Sequence, residues 1–548
     1  MEHNNKNRSK NAVNMFFSGV VILTIANILV KSVGLVLKIV LNQVVGSVGA
    51  GYYSSAYEIY TFLYIIATSG LPVALSIMVA KCRAEGRIKE ARKIFNVAMV
   101  LFFIIGTIFA SLMIVFSKTL ANFISAPETA ICIIAIAPTI LFICLSSCLR
   151  GYFQGYQLMK PTGVSQFIEA LGKALIGFAF AWWAKSQGYD DHIVAAFTIL
   201  GVTFGVFLGM VFLYIRKIFF KENAFYEENV LEIQPKSSST REILKELTKI
   251  AIPITLSSCV LSLTVIIDTL MIQTRLLASG LGEELVKIYY GDYTTLVISM
   301  INLPTILIYP ISNSLVPLIT SAITKKDHEA AKNMRTFTMR IINIISIPCA
   351  LALGVLSRNL LELLGFTNSS VTRAAPWLAL GSVSVIFLGL ISATNAFLNT
   401  AGKQRYPIIS MIAGAIVKII ANYFLVGTIG IMGAPLSTVL CYLTAATLNI
   451  YFTVRHVGTL PNVKKMFGMP LLCAIVSIGG ATGLYYLLSL FLPSRVATFI
   501  IVIVAILVYL FMIIRTKTIT EEEFLLIPKG EKIVKILKKI YFFPKKCK

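Results

Sequence analysis

The sequence predicts an all-α polytopic membrane protein with about fourteen transmembrane helices in two pseudo-symmetric bundles and a central cavity. Three observations predict it: an apolar composition, a row of apolar windows of spanning length, and a one-sided distribution of basic residues. Of 548 residues, 57% are hydrophobic and only 14% charged, with a mean hydropathy of +0.82. A soluble domain averages about 45–50% apolar and about 25% charged residues, so this chain lacks the polar surface to coat a water-facing globule of its size. Disorder, a coiled coil, a disulfide-stapled secreted fold and an ordinary soluble enzyme each need a different composition.

A bilayer core takes roughly 20 apolar residues per spanning helix. Such windows run at about 15–39, 51–72, 94–116, 130–149, 162–183, 193–214, 249–270, 294–316, 338–357, 374–398, 406–426, 432–453, 468–490 and 496–514. With the N-terminus placed in the cytoplasm, 38 of the 49 Lys and Arg fall in inward segments and 7 in outward loops; the other 4, Lys31, Lys38, Lys173 and Lys418, lie within spans. One missed helix would invert every later loop, so this asymmetry supports the count and predicts that both termini are cytoplasmic. The apolar run after Lys6, Arg8 and Lys10 outlasts a leader and shows no convincing cleavage site, so it is read as the first span.

A net charge of +24 raises the question of nucleic acid. The charges lie between apolar spans rather than in a domain of their own, which argues against it. Nine cysteines are scattered, mostly inside spans. Cys144 and Cys148 share a helix face, and two thiols alone make no metal site. All four histidines (His3, His192, His328 and His456) fall in tails or loops. Neither GxxxxGK[ST], HExxH nor GxSxG occurs, so nucleotide hydrolysis has no motif, and the protein is expected to be no enzyme and to hold no cofactor or metal.

The domain reading is a tail at 1–14, a first bundle at 15–214, a linker at 215–248, a second bundle at 249–453, two extra spans at 454–514 and a basic tail at 515–548. The linker mixes acids with a serine run, and Ser239 followed by Glu242 reads as a capping box opening the next helix. Internal echoes support two repeats. SGLPVALSIMVAKCRAEGRIKEARKIF from Ser69 resembles YPISNSLVPLITSAITKKDHEAAKNMRTF from Tyr309. GYFQGYQLMKPTGVSQFIEALGK from Gly151 resembles AFLNTAGKQRYPIISMIAGAIVK from Ala396, with Pro161 answering Pro407 and Lys173 answering Lys418 to within one residue. Spans one and seven both start inside, which makes the repeats parallel, a design in which substrate sits between halves near the midplane.

An ionisable group within a span needs a partner, a water-filled cavity or a job. Lys31 and Lys38 lie two helical turns apart and point the same way. Glu169 and Lys173 are spaced i, i+4 in the favourable acid-first order, either as a self-neutralising pair or as cavity groups. Asp268 and Arg275 are read either as interfacial, snorkelling groups or as part of the cavity. Five bases at membrane depth (Lys31, Lys38, Lys173, Arg275 and Lys418) face three acids (Glu58, Glu169 and Asp268). That basic excess suits phosphate or pyrophosphate, whereas an exporter of organic cations would need net acid and aromatic walls. The candidate substrate-binding set is therefore Lys31, Lys38, Glu169, Lys173, Arg275 and Lys418. Gly201, Gly205 and Gly209 read as a packing stripe on span six. The lysine-rich stretch after Lys529 reads as an interfacial helix on anionic membrane lipids.

With these features in hand, the chain resembles the stage V sporulation protein B and peptidoglycan lipid flippase branch of the multidrug/oligosaccharidyl-lipid/polysaccharide (MOP) exporter superfamily. The resemblance is carried by ILVKSVGLVLKIVLNQVVGSVGAGYYSSAY from Ile28, TSGLPVALSIMVA from Thr68 and LRGYFQGYQLMKPTGVSQFIEALGK from Leu149, and runs from about residue 15 to 515. It implies a V-shaped cavity that opens alternately inward and outward and carries the head group of a polyprenyl-pyrophosphate saccharide while the tail stays in lipid. Basic residues on the first span, here Lys31 and Lys38, belong to that picture, with lysine in place of the usual arginine at the second position. The resemblance also implies sodium coupling through an acid on span seven and groups on span eleven, for which Asp268 and Asn422 stand here. Lys418, one turn before Asn422, offers the alternative of a built-in positive charge.

The expected function is thus a secondary-active flippase for a lipid-linked peptidoglycan or polysaccharide precursor, driven by membrane potential or by a sodium or proton gradient. A cation-coupled multidrug efflux antiporter of the same fold is the second expectation. A scaffold that recruits cell-wall synthesis proteins through its tail is the third.

Overall fold

The computed structural model describes residues 29–30, 33–34, 37, 42–156, 158–220, 238–309, 311–312, 328–403, 405–458, 464–516 and 518. Every regular element among them is helical. Ten of the described helices are long and apolar enough to cross a membrane, or eleven if one bent pair counts as a single span. The fourteen-span count is not established by them. The window at 15–39 lies almost wholly outside the described residues, the one at 249–270 falls inside a helix that is not among the ten, and those at 406–426 and 432–453 run together as Arg405–Val457. The proposed interfacial helix after Lys529 also lies outside the described residues.

By packing, the chain forms two compact units, Met1–Thr295 with Asn422–Ile431, and Leu296–Ala421 with Met432–Lys548. The first contains α1 (Gly46–Thr68), α2 (Gly70–Ala84), α3 (Ile88–Val115), α4 (Ala130–Gly155), α5 (Met159–Ser186), α6 (Asp191–Ile218), α7 (Thr240–Ala278) and α8 (Glu283–Asp292). α7 and α8 thus pack with helices of the first sequence repeat. α7 opens with the capping box expected at Ser239: its Oγ accepts the Glu242 N–H at 3.2 Å, and the Glu242 carboxylate accepts the Ser239 N–H at 2.9 Å. Two orphan donors of the first turn are thereby satisfied.

Helices in lipid gain little from hydrophobicity against one another and associate where small residues let backbones approach. The glycine stripe on α6 does this against α5. A Cβ added at Gly201 would lie 2.3 Å from the Gly177 Cα, and one at Gly205 would lie 2.5 Å from the Lys173 nitrogen. α1 meets α8 in the same way, since a Cβ on Gly291 would fall 2.2 Å from the Ser47 carbonyl. Outward apolar side chains such as Phe103, Ile108, Leu175 and Phe204 suit contact with lipid, and the exposed Trp182, Trp183 and Tyr189 cluster at the end of α5 like an interfacial aromatic belt.

The second unit contains α9 (His328–Val355), α10 (Asn368–Gly381), α11 (Ser384–Thr400), α12 (Arg405–Ala421), α13 (Gly433–Val457), α14 (Met469–Leu488) and α15 (Ser494–Arg515). α10 and α11 form the bent pair, at 44°. α15 is tied to α9 by the Tyr509 hydroxyl, which donates to the Ile344 carbonyl at 2.8 Å, above a shared core of Ile347, Cys473, Ile478 and Ile513.

Candidate functional site

Thr162, Ser165, Gln166, Glu169 and Lys173 follow one another on α5 at spacings of three and four, or one apart, and so share one stripe of the helix. Glu169 is its centre. Its Oε2 accepts from Arg150 Nη2 at 2.9 Å and its Oε1 meets Lys173 Nζ at 2.7 Å. Arg150 Nε donates to Ser165 Oγ at 3.1 Å, and that hydroxyl donates to the Thr162 carbonyl at 2.8 Å. Arg150 and Glu169 are only 6% and 7% exposed. One buried and one half-buried base on one carboxylate leave a net single positive charge, which raises the electrostatic stakes of the cluster above those of a surface pair.

Sequence reasoning paired Glu169 with Lys173 and missed Arg150, which it counted with the inward loop after a span ending at 149. α4 instead continues to Gly155. The available signal was Arg150 standing one turn after Ser146 on an uninterrupted helical pattern.

Asp268 and Asn422, far apart in sequence, are brought together: Asn422 Nδ2 donates to Asp268 Oδ1 at 3.0 Å, and both residues are buried. Asn422 begins a π-helical turn, Asn422–Val426, which inserts a residue into the helical register and re-aims the side chains around it. Beside Asp268 on α7, Thr269 donates to the Glu58 carboxylate on α1, and the Tyr290 hydroxyl donates to the same oxygen at 3.1 Å. One turn further, Gln273 Nε2 donates to Ser55 Oγ at 2.9 Å. The carboxylate and carboxamide oxygens of Asp268 and Asn422 are hard donors of the kind sodium takes. Among the described residues no group of three or more His, Cys, Asp or Glu is placed to hold a metal ion.

Arg275 shares the α7 face of Asp268, yet its guanidinium lies over Tyr423, 3.9 Å from the ring centroid, a cation–π contact. A Cβ on Gly427 would come within 2.8 Å of its Nη2, so glycine makes room for it. Lys418 belongs to the second unit, on α12, and is 2% exposed. Lys31 and Lys38 lie outside the described residues.

The sequence pattern of the polysaccharide biosynthesis protein family matches residues 16–322, more than half of the chain. The chain belongs to that family. A second pattern, MatE, matches residues 253–424, in keeping with membership of the MOP superfamily. This polysaccharide biosynthesis family member is similar to three proteins of Bacillus subtilis (strain 168). It is 24% identical to Lipid II flippase MurJ over 482 residues, covering 84% of this chain and 87% of that protein. It is 25% identical to Stage V sporulation protein B over 455 residues, covering 82% and 84%, and 24% identical to membrane protein YabM over 533 residues, covering 95% and 97%. Among solved structures it resembles lipid II flippase MurJ in an inward closed conformation, with a TM-score of 0.67 at 17% identity over 90% of this chain and 98% of that one. It also resembles an inward-facing multidrug resistance MATE transporter, with a TM-score of 0.63 at 14% identity over 80% and 98%. The family member is therefore a multi-pass helical membrane protein with the MOP transporter fold.

Proposed function

We propose that the protein is a secondary-active flippase that moves a polyprenyl-pyrophosphate-linked peptidoglycan or polysaccharide precursor, similar to lipid II, from the cytoplasmic to the outer leaflet by alternating access. The observation that carries this reading is the Arg150–Glu169–Lys173 cluster, in which Arg150 and Glu169 are buried and the net charge is positive. A pyrophosphate crossing the hydrocarbon core bare would meet a prohibitive desolvation cost, and fixed buried cations remove much of it. Lys31, Lys38, Arg275 and Lys418 extend the basic set. Similarity to the flippase and the sporulation protein supports the class of substrate.

Asp268 with Asn422 is the coupling site in this reading, taking sodium or a proton and linking transport to an ion gradient. The protein then works in the bacterial cytoplasmic membrane with both termini inside and with two repeats, 15–214 and 249–453, as its moving parts. One observation favours a cation-coupled multidrug antiporter as the second reading: the buried Asp268 has as its α7 neighbour Thr269, which donates with Tyr290 to a second, half-buried carboxylate, Glu58 on α1.

Lys31→Ala or Lys38→Ala is expected to abolish flipping of a labelled polyprenyl-pyrophosphate saccharide in proteoliposomes while the protein still inserts. Unchanged flipping by both variants would remove these lysines from the substrate path. Efflux of organic cations that depends on Asp268 and is indifferent to the lysines would favour the antiporter.

A further inference from the structure

Among the described residues of the first unit, seven buried polar side-chain atoms have no hydrogen-bond partner: Tyr60 Oη, Thr129 Oγ1, Ser146 Oγ, Thr162 Oγ1, Gln166 Oε1, Arg275 Nε and Thr295 Oγ1. Buried polar groups are normally paired with protein or water, so each orphan asks for a cause. Four of the seven, those of Tyr60, Ser146, Thr162 and Gln166, stand beside the Arg150–Glu169–Lys173 cluster. Thr162 and Gln166 stand on the α5 stripe of Glu169 and Lys173, and Ser146 precedes Arg150 by one turn on α4. Tyr60, on α1 and 2% exposed, lies within Coulomb range of both Glu169 and Arg150.

Orphan hydroxyls therefore gather around a cluster whose three charges sum to one positive charge. Both features are unfavourable at membrane depth, and a single ligand resolves both. Arg150 uses Nε on Ser165 and Nη2 on Glu169, and its Nη1 is a further donor. The Lys173 ammonium has three donors and meets one Glu169 oxygen. Three hydroxyls add donors that rotate to suit, and the Gln166 amide presents its NH2 when turned over. Such a lining, rich in donors and net cationic, repels a metal ion and matches the acceptor oxygens of a phosphate group.

We propose that this polar core of the first unit is a binding pocket for one phosphate group, either inorganic phosphate or the phosphate end of a polyprenyl lipid. Arg150 and Lys173 are its cationic donors, and the hydroxyls of Tyr60, Ser146 and Thr162 complete the shell. Glu169 holds the two bases in position and sets the net charge. The proposal rests on the flippase reading and deepens it by giving phosphate a site built from α1, α4 and α5.

The test uses the full chain in maltoside micelles, which carry no phosphate, titrated calorimetrically with inorganic phosphate and separately with geranylgeranyl phosphate. The wild type is expected to bind. Tyr60→Phe and Thr162→Val are each expected to weaken binding by roughly three- to tenfold, the usual worth of one hydrogen bond, with a phosphate-free melting midpoint unchanged or higher because an orphan has been removed. Tighter binding of the lipid than of the free ion assigns the pocket to a head group; equal binding assigns it to the free ion. No binding by the wild type, or equal affinity in wild type and both variants, overturns the pocket. Flipping of a labelled polyprenyl-pyrophosphate saccharide by the same preparations separates the two readings. A wild type that flips without Tyr60-dependent phosphate binding sinks the pocket alone, whereas Tyr60-dependent binding without flipping sinks the transport reading alone.

Discussion

Glu169→Ala is expected to destabilise the protein by about 3–5 kcal/mol, the usual result of breaking a buried ion cluster by removing one member. The change leaves the buried Arg150 and the half-buried Lys173, 2.9 and 2.7 Å from where the carboxylate stood, without the acid that they share. Thermal unfolding in micelles and the amount of inserted protein report the loss. The triple variant Glu169→Leu, Arg150→Met, Lys173→Met is expected to recover most of it, since replacing a whole buried ion cluster by apolar groups of similar volume is close to neutral. That variant separates stability from function: it folds, and on the proposed reading it does not flip. A loss below about 1 kcal/mol for Glu169→Ala would mean that water, not the carboxylate, balances the two bases.

Gly205→Ala is expected to cost about 1–3 kcal/mol, the range for forcing a methyl into a filled site, and to lower transport with it. The added Cβ would fall 2.5 Å from the Lys173 nitrogen and 2.7 Å from the Glu169 carbonyl, both backbone atoms that no rotamer change can move. α5 and α6 must separate, and the segment of α5 that holds the ion cluster moves with them. Gly480→Ala on α14 is the matched control, because nothing lies within 4 Å of its new methyl. There the gain in helix propensity, up to about 1 kcal/mol, is all that remains. Comparable melting midpoints for the two variants would remove the close α5–α6 contact from the account of stability.

Much of the fold was legible because membrane helices announce themselves by apolar length. The window at 193–214 falls inside Asp191–Ile218, and the one at 94–116 overruns the end of Ile88–Val115 by one residue. The capping box at Ser239 and the packing role of Gly201, Gly205 and Gly209 follow from local chemistry, and both stand in the structure. The window ending at 149 stops at a charge, whereas α4 continues to Gly155 with Arg150 buried against Glu169. The 44° bend in Asn368–Thr400 and the π turn at Asn422 depend on how neighbours take up backbone groups, which no local pattern records.

The site divides in the same way. Glu169 and Lys173 are one helical turn apart, so their pairing is a matter of spacing. Asp268 and Asn422 are 154 positions apart, and Tyr290 and Glu58 are 232 apart, so only family resemblance suggested the first pair and nothing suggested the second. The four orphan oxygens around Arg150 are invisible in sequence, because being unpartnered is a property of packing.

Transbilayer movement of a labelled polyprenyl-pyrophosphate saccharide in proteoliposomes, scored by leaflet accessibility with and without an imposed potential, is the direct test of flippase function. The expected result is label that becomes protected faster than in protein-free liposomes, faster still under a potential, and no faster than background when Lys31 and Lys38 are both alanine. Leaflet exchange equal to that of protein-free liposomes, with the protein folded and inserted, would contradict it.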